Sequence, residues 1–93
     1  YGTKSKSVGY NVDLYPNLII RVPEVGAGAA WALKVNDGGA DITVQADTSA
    51  TGTMTYDLKT ITGWSGMKNF QLKLFPVGGN GKYIKVDYVN VSQ

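Results

Sequence analysis

Trp31-Ala32-Leu33-Lys34-Val35-Asn36-Asp37-Gly38-Gly39-Ala40-Asp41-Ile42-Thr43-Val44-Gln45-Ala46 is the stretch that decides the fold. Trp31, Leu33 and Val35 alternate with Ala32, Lys34 and Asn36, a period of two that belongs to strands and not to helices. Ile42, Val44 and Ala46 alternate with Thr43 and Gln45 in the same way. Between the two runs lies Asn36-Asp37-Gly38-Gly39, whose residues tolerate the positive φ that tight hairpins need. The segment reads as an antiparallel hairpin, Trp31–Asn36 against Asp41–Ala46.

The period of two continues on both sides. Val8, Tyr10, Val12 and Leu14 share one face of an early strand, and Tyr15-Pro16-Asn17 breaks it because proline has no N–H to give a ladder. Leu18, Ile20 and Val22 lie opposite Ile19 and Arg21, and Pro23 closes that strand. Gly26 to Ala30 is a loop of small residues. Met54, Tyr56 and Leu58 alternate with Thr53, Thr55 and Asp57. Trp64 sits in a Gly63-Trp64-Ser65-Gly66 loop. Phe70, Leu72 and Leu74 then form another apolar face. Gly78-Gly79-Asn80-Gly81 reads as a second hairpin-type connection, before a last strand over Lys82–Val91. In that strand Ile84 and Val86 face one way, Val89 and Val91 the other. One extra residue near Asp87-Tyr88, a β-bulge, would reconcile them. The total is about seven strands with turns every ~8–12 residues, which indicates an all-β antiparallel sandwich or barrel.

Length and composition agree. The 93 residues suit one domain, 1–93. The 43% hydrophobic content supports a core and argues against disorder. The chain starts at Tyr1, inside sequence that is already polar and β-like, and so reads as a piece of a larger protein. No apolar run approaches the ~20 residues that span a bilayer, so no membrane insertion is expected.

Several chemistries lack their residues. There is no Cys and no His, which removes disulfides, thiol catalysis, the triads and the commonest metal ligand together. Glu24 is the sole Glu, and the six Asp sit at strand ends and turns, where they bond backbone. An enzyme is therefore not expected. No motif supports a cofactor. A structural Ca²⁺ would have to draw on carboxylates such as Asp13 or Asp87 gathered in space. Eight Lys and one Arg against six Asp and one Glu leave a net charge of +2 spread along the chain, which is no footprint for nucleic acid.

Aromatic residues carry the functional signal. Tyr10, Tyr56 and Phe70 are in phase with apolar faces and read as core. Trp31 is also in phase with the apolar face of its strand and reads as core, although it stands at a strand start beside a loop. Trp64 lies in a loop with no apolar period to claim it and either caps the end of the sandwich or meets a ligand. Either tryptophan, if accessible, could stack on a sugar ring beside planar polar groups. Arg21, Lys34, Asn36, Thr43, Gln45, Gln71 and Lys73 all oppose the apolar phase and form one polar sheet face if their strands are neighbours. The candidate ligand-binding set is Trp64, Trp31, Arg21, Asn36 and Gln45, with no catalytic or metal residues.

Some of these segments resemble a known family. Val86-Asp87-Tyr88-Val89 within the last strand is similar to the terminal strand of galactose-binding-like, jelly-roll carbohydrate-binding modules. The Gly52–Leu58 strand, the Trp64-Ser65-Gly66 loop and the Phe70–Leu74 strand resemble the later half of such modules. Tyr10–Pro16 looks like their entry. The likeness covers about the last 45 residues well and the rest loosely. It implies a jelly-roll β-sandwich. It also implies a non-catalytic accessory domain of a secreted bacterial glycan-processing protein of the Bacteroidetes kind, located outside the cell, on its surface or in the periplasm. Its partners would be oligo- or polysaccharide and neighbouring domains. The alternative is a structural or protein-interaction domain that spaces or docks its neighbours, and that reading expects both tryptophans to be buried.

Overall fold

The computed structural model describes residues 4–78 and 82–93. The deciding hairpin is present. Strand β4 (Ala30–Asn36) pairs antiparallel with β5 (Ile42–Thr48), and Gly38 takes φ 115° in the turn while its N–H donates to Asn36 Oδ1 at 2.7 Å. Around it stand β1 (Lys4–Asn11), β2 (Asn17–Val22), β3 (Glu24–Val25), β6 (Gly52–Asp57), β7 (Met67–Val77), β8 (Ile84–Lys85) and β9 (Tyr88–Ser92). The order β1-β7-β4-β5 makes a four-stranded sheet and β6-β2-β9 a three-stranded one, every pairing antiparallel.

The sheets face each other across one core. Trp31, Leu33, Val35 and Phe70 enter it from the first sheet, and Leu18, Ile20 and Val22 from the second. The fold is thus an all-β antiparallel sandwich. Burial is deepest on β4 and β2, which have neighbours on both sides. Fully burying a Leu, Ile or Val side chain is worth roughly 1.5–3 kcal/mol. The alternation read from the sequence is therefore the main source of stability.

Leu58 is also fully buried, as the first residue of the single-turn helix α1 (Leu58–Thr62). Asp57 caps this turn, its Oδ1 accepting from Thr60 N at 3.1 Å. Gly63 ends it at φ 76°, the left-handed conformation that glycine adopts without a Cβ penalty. The sequence pattern here runs from strand into loop, because the five residues of α1 are too few to show a helical period.

The expected bulge at Asp87-Tyr88 is not what resolves the last strand. Arg21 pairs with Tyr88, and beyond the gap Glu24 pairs with Lys85, in unchanged register. Instead both strands change face together. Val22 and Val25 both pack inward on one strand, Val89 and Val86 on the other. Pro23 accounts for the place, because it cannot donate to the ladder. The Asp87 N–H bridges the interruption by donating to Arg21 O at 2.9 Å. With β2–β3 and β8–β9 counted as two interrupted arms, the sandwich has the seven arms expected.

The register shifts lie in β5. Lys34 faces Thr43, but Leu33 faces Gln45 and Trp31 faces Thr48, so this edge strand spends two extra residues. Irregular edges of this kind resist pairing with other chains. The Gly78–Gly81 connection falls partly outside the described residues. Among the described residues the strands on either side of it are not paired with each other: β7 pairs with β1 and β4, and β8 with β3.

Candidate functional site

The five sequence candidates do not meet. Trp31 is fully buried, its Nε1 donating to Ala50 O at 2.9 Å. Trp64 is only 8% exposed; its ring centroid lies 4.9 Å from that of Phe70, and Lys68 Nζ covers it at 5.3 Å. The apolar phase places Trp31, and the glycine-bounded turn after α1 folds Trp64 onto the end of the core. Neither offers a face for stacking.

Arg21 lies on the outside of the three-stranded sheet, 3.6 Å from Asp87 Oδ2 and donating to Thr53 Oγ1 at 3.2 Å. Asn36 lies on the outside of the other sheet. Gln45 belongs to neither face, because the β5 register shift sets it opposite inward-facing Leu33. Its Oε1 accepts from Tyr56 Oη at 2.8 Å, tying β5 to β6 where the sheets meet.

Lys34, Asn36, Thr43, Gln71 and Lys73 do share the outer face of the four-stranded sheet, as the pairings Lys34 with Thr43, Lys34 with Lys73 and Asn36 with Gln71 require. Much of that face is occupied with itself. Asp41 Oδ1 accepts from Asn36 Nδ2 at 2.8 Å and from Lys73 Nζ at 2.9 Å, and these two partners hold its carboxyl below the usual range. Lys34 Nζ lies 5.1 Å from the centre of the Phe75 ring.

A concave area lies beside this network, over the junction of β1 and β7. It is a hollow of about 480 Å³ floored by Gly9 and edged by Ser7, Asn69, Gln71 and Asp37. Register explains the floor: Gly9 pairs with Asn69 and Ser7 with Gln71, so a missing side chain leaves a dent among polar ones. A Cβ on Gly9 would collide with the side-chain oxygen of Asn69. Among the described residues, the side chains of Ser7, Asn69 and Gln71 make no hydrogen bond within the chain. Asp37 pairs with Lys68 at 3.0 Å, which holds its carboxyl ionised and below its ordinary value. The sequence carried one sign of this place: a glycine inside a strand, Val8-Gly9-Tyr10, marks a close approach or a gap in the surface.

Several of the other carboxylates have partners of their own. Asp13 takes Lys59 and the Gly66 N–H, Asp87 takes Arg21, and Glu24 accepts from Tyr83 Oη. Among the described residues no group of three or more His, Cys, Asp or Glu gathers at one point. No helix there is long and apolar enough to cross a membrane.

Fold and site together define a small all-β, two-sheet antiparallel domain with a polar hollow on the outer face of its four-stranded sheet. Compared with protein-family models, curated proteins and solved structures, the chain has no match.

Proposed function

We propose that this chain is a non-catalytic accessory module of a larger secreted or surface-exposed glycan-processing protein, and that it binds oligo- or polysaccharide in the hollow above Gly9. The observation that carries the reading is the hollow itself. Its volume falls within the ordinary range of ligand sites, and its rim offers a hydroxyl and two planar amides that make no hydrogen bond among the described residues, beside an ionised carboxylate. Such neutral donors and acceptors, closely spaced on a rigid sheet, suit a ligand covered in hydroxyls. The resemblance of the later strands to jelly-roll carbohydrate-binding modules points the same way.

Binding in this hollow would rest on hydrogen bonds without aromatic stacking. Each is worth about 1 kcal/mol net, so a handful gives a Kd on the order of 1 mM. The test is a titration of the ¹⁵N-labelled domain with soluble oligosaccharides of several linkages. Saturable shifts of the Asn69 and Gln71 side-chain amides are expected, with little change in tryptophan fluorescence. Read from the backbone amides of Val8 and Phe70, which line the hollow, binding should be lost in Asn69→Ala/Gln71→Ala and in Gly9→Ala. The Gly9 substitution fills the floor and displaces only the flexible end of Asn69. Unchanged binding in these variants sinks the assignment.

A second reading has its own observation. Both tryptophans are buried, as a spacing or docking domain would have them. A glycan array without a single hit selects that reading over the first.

A further inference from the structure

The two sheets do not match in width. The bond from Tyr56 Oη to Gln45 Oε1 sets β6 opposite β5. Counting from there along the sheet orders, β2 lies opposite β4 and β9 opposite β7, and among the described residues β1 has no strand across from it. Burial follows the count. The inward side chains of Leu33 and Val35 on β4 and of Ile20 on β2 are fully buried. Val8 on β1 and Val89 on β9 are only partly covered, and Val91, in the same phase as Val89, is 40% exposed.

A cleft of about 300 Å³ opens at this place, lined by the consecutive residues Val8-Gly9-Tyr10 of β1 and Val89-Asn90-Val91 of β9. Successive residues of a strand send their side chains to opposite faces. A lining of consecutive residues therefore means that the cleft is bounded by two strand edges, main chain included. An edge strand presents a row of unpaired N–H and C=O groups, so the cleft offers a main-chain hydrogen-bonding edge beside apolar side chains. The β9 edge is also unguarded. Tyr88-Val89-Asn90-Val91-Ser92 has no charge, no proline and no register shift, the devices that keep edges from pairing. Edge strand β5, by contrast, carries two register shifts.

We infer that β9 is a docking edge for one extended, uncharged segment of a partner polypeptide, apolar at alternate positions, which pairs with β9 as a fourth strand and covers the inner face of β1. Main-chain bonds along a sheet edge supply affinity in this mode, and alternate side chains supply fit. A small apolar molecule would fill the space and leave the edge unpaired. A second copy does not fit: pairing its own β9 here would bring its β7 into the place that β1 holds. A lone strand fits beneath β1. At ~30 Å³ for a water-sized atom, the cleft has room for about ten non-hydrogen atoms, the inward side chains of about three valines. A five-residue strand with valine at alternate positions supplies that number, and β9 is itself five residues long. The inference does not depend on saccharide binding, since Val89, Asn90 and Val91 line the cleft and not the hollow.

The experiment titrates two capped peptides of the same side chains into the ¹⁵N-labelled protein. Each alternates valine and threonine, valine first, over five residues and carries a lysine at either end for solubility. In the second peptide every backbone nitrogen of the five is methylated, which removes the donors and keeps the apolar side chains. At millimolar concentration the first peptide should give saturable shifts of the Tyr88–Ser92 amides and slow their exchange with solvent. The methylated peptide should bind at least about tenfold more weakly, the loss of two or more main-chain hydrogen bonds. Val91→Lys places a charge at the mouth of the cleft, where the native side chain is already 40% exposed, and should abolish binding while tryptophan emission stays unchanged. Equal binding of the two peptides overturns strand pairing and makes the cleft a plain apolar site. No shift at Tyr88–Ser92 with either peptide, or unchanged binding in Val91→Lys, overturns β9 as the docking edge. Slow exchange of these amides without peptide, together with a dimer in sedimentation, assigns the edge to a second copy and also overturns the inference. None of these results bears on the Asn69 and Gln71 side-chain amides, so the two proposals fail separately.

Discussion

Replacing Tyr10 with phenylalanine should make this protein more stable, although it removes a polar group from a half-buried side chain. The ring keeps its edge-on contact with Phe70, because only the hydroxyl is lost. That hydroxyl is buried without a partner, and a buried polar group so placed costs ~1–3 kcal/mol. The lower end applies, since the rest of the side chain borders an open cleft. A gain of about 1 kcal/mol raises Tm by roughly 4–8 °C in a domain of this size. Thermal unfolding and urea titration both read it, and the urea slope should stay constant because the surface exposed on unfolding barely changes. A second signature lies at alkaline pH. Burial raises the folded-state phenol above its ordinary value of 10.0. Above pH ~10 the unfolded chain therefore loses its proton first, and stability falls as pH climbs toward the folded value. Tyr10→Phe should remove part of that alkaline loss. A Tm lower than wild type would show that the hydroxyl has a partner, and would refute the reasoning.

Other perturbations test other parts of the molecule. Trp31→Phe leaves a void in a fully buried site and deletes the bond to Ala50 O, so it should cost about 3 kcal/mol by urea unfolding. Gly63→Ala meets nothing within 4 Å, so its cost is that of the left-handed backbone at φ 76° alone, about 1–2 kcal/mol. Acid should unfold the protein in a defined window. Asp13, Asp37, Asp41 and Asp57 are all held below their ordinary 3.8, by Lys59, by Lys68, by Asn36 with Lys73, and by the Thr60 N–H in turn. Below pH ~4 the unfolded chain takes up protons first, and stability falls as pH drops through the lower folded values. Urea midpoints should be flat from pH 6 to 5 and decline below 4, less steeply once salt screens these exposed pairs.

What the sequence showed and what it hid divide along a physical line. Strand β2 was read residue for residue, because Leu18, Ile20 and Val22 alternate cleanly between two prolines. The β4–β5 hairpin was legible for the same reason, with turn chemistry added. Alternation reports which face a residue takes only while the register holds. In β5 the register shifts twice, and Gln45 left the polar face that its phase had assigned it. Trp64 was ambiguous because a loop has no phase at all. The hollow above Gly9 depends on which strand lies beside β1, and local sequence does not reveal that β7 is that neighbour.

The shared change of face at Pro23 and Val86–Asp87 has a consequence for how the chain can vary in length. Deleting one residue from either arm alone would turn Val25, or Ile84 and Val86, out to solvent and set them against a partner still facing inward. Deleting one from each arm at this level would restore the match. The two arms lie some sixty positions apart in the sequence, yet insertions and deletions in them are coupled: a viable change in one has its counterpart in the other.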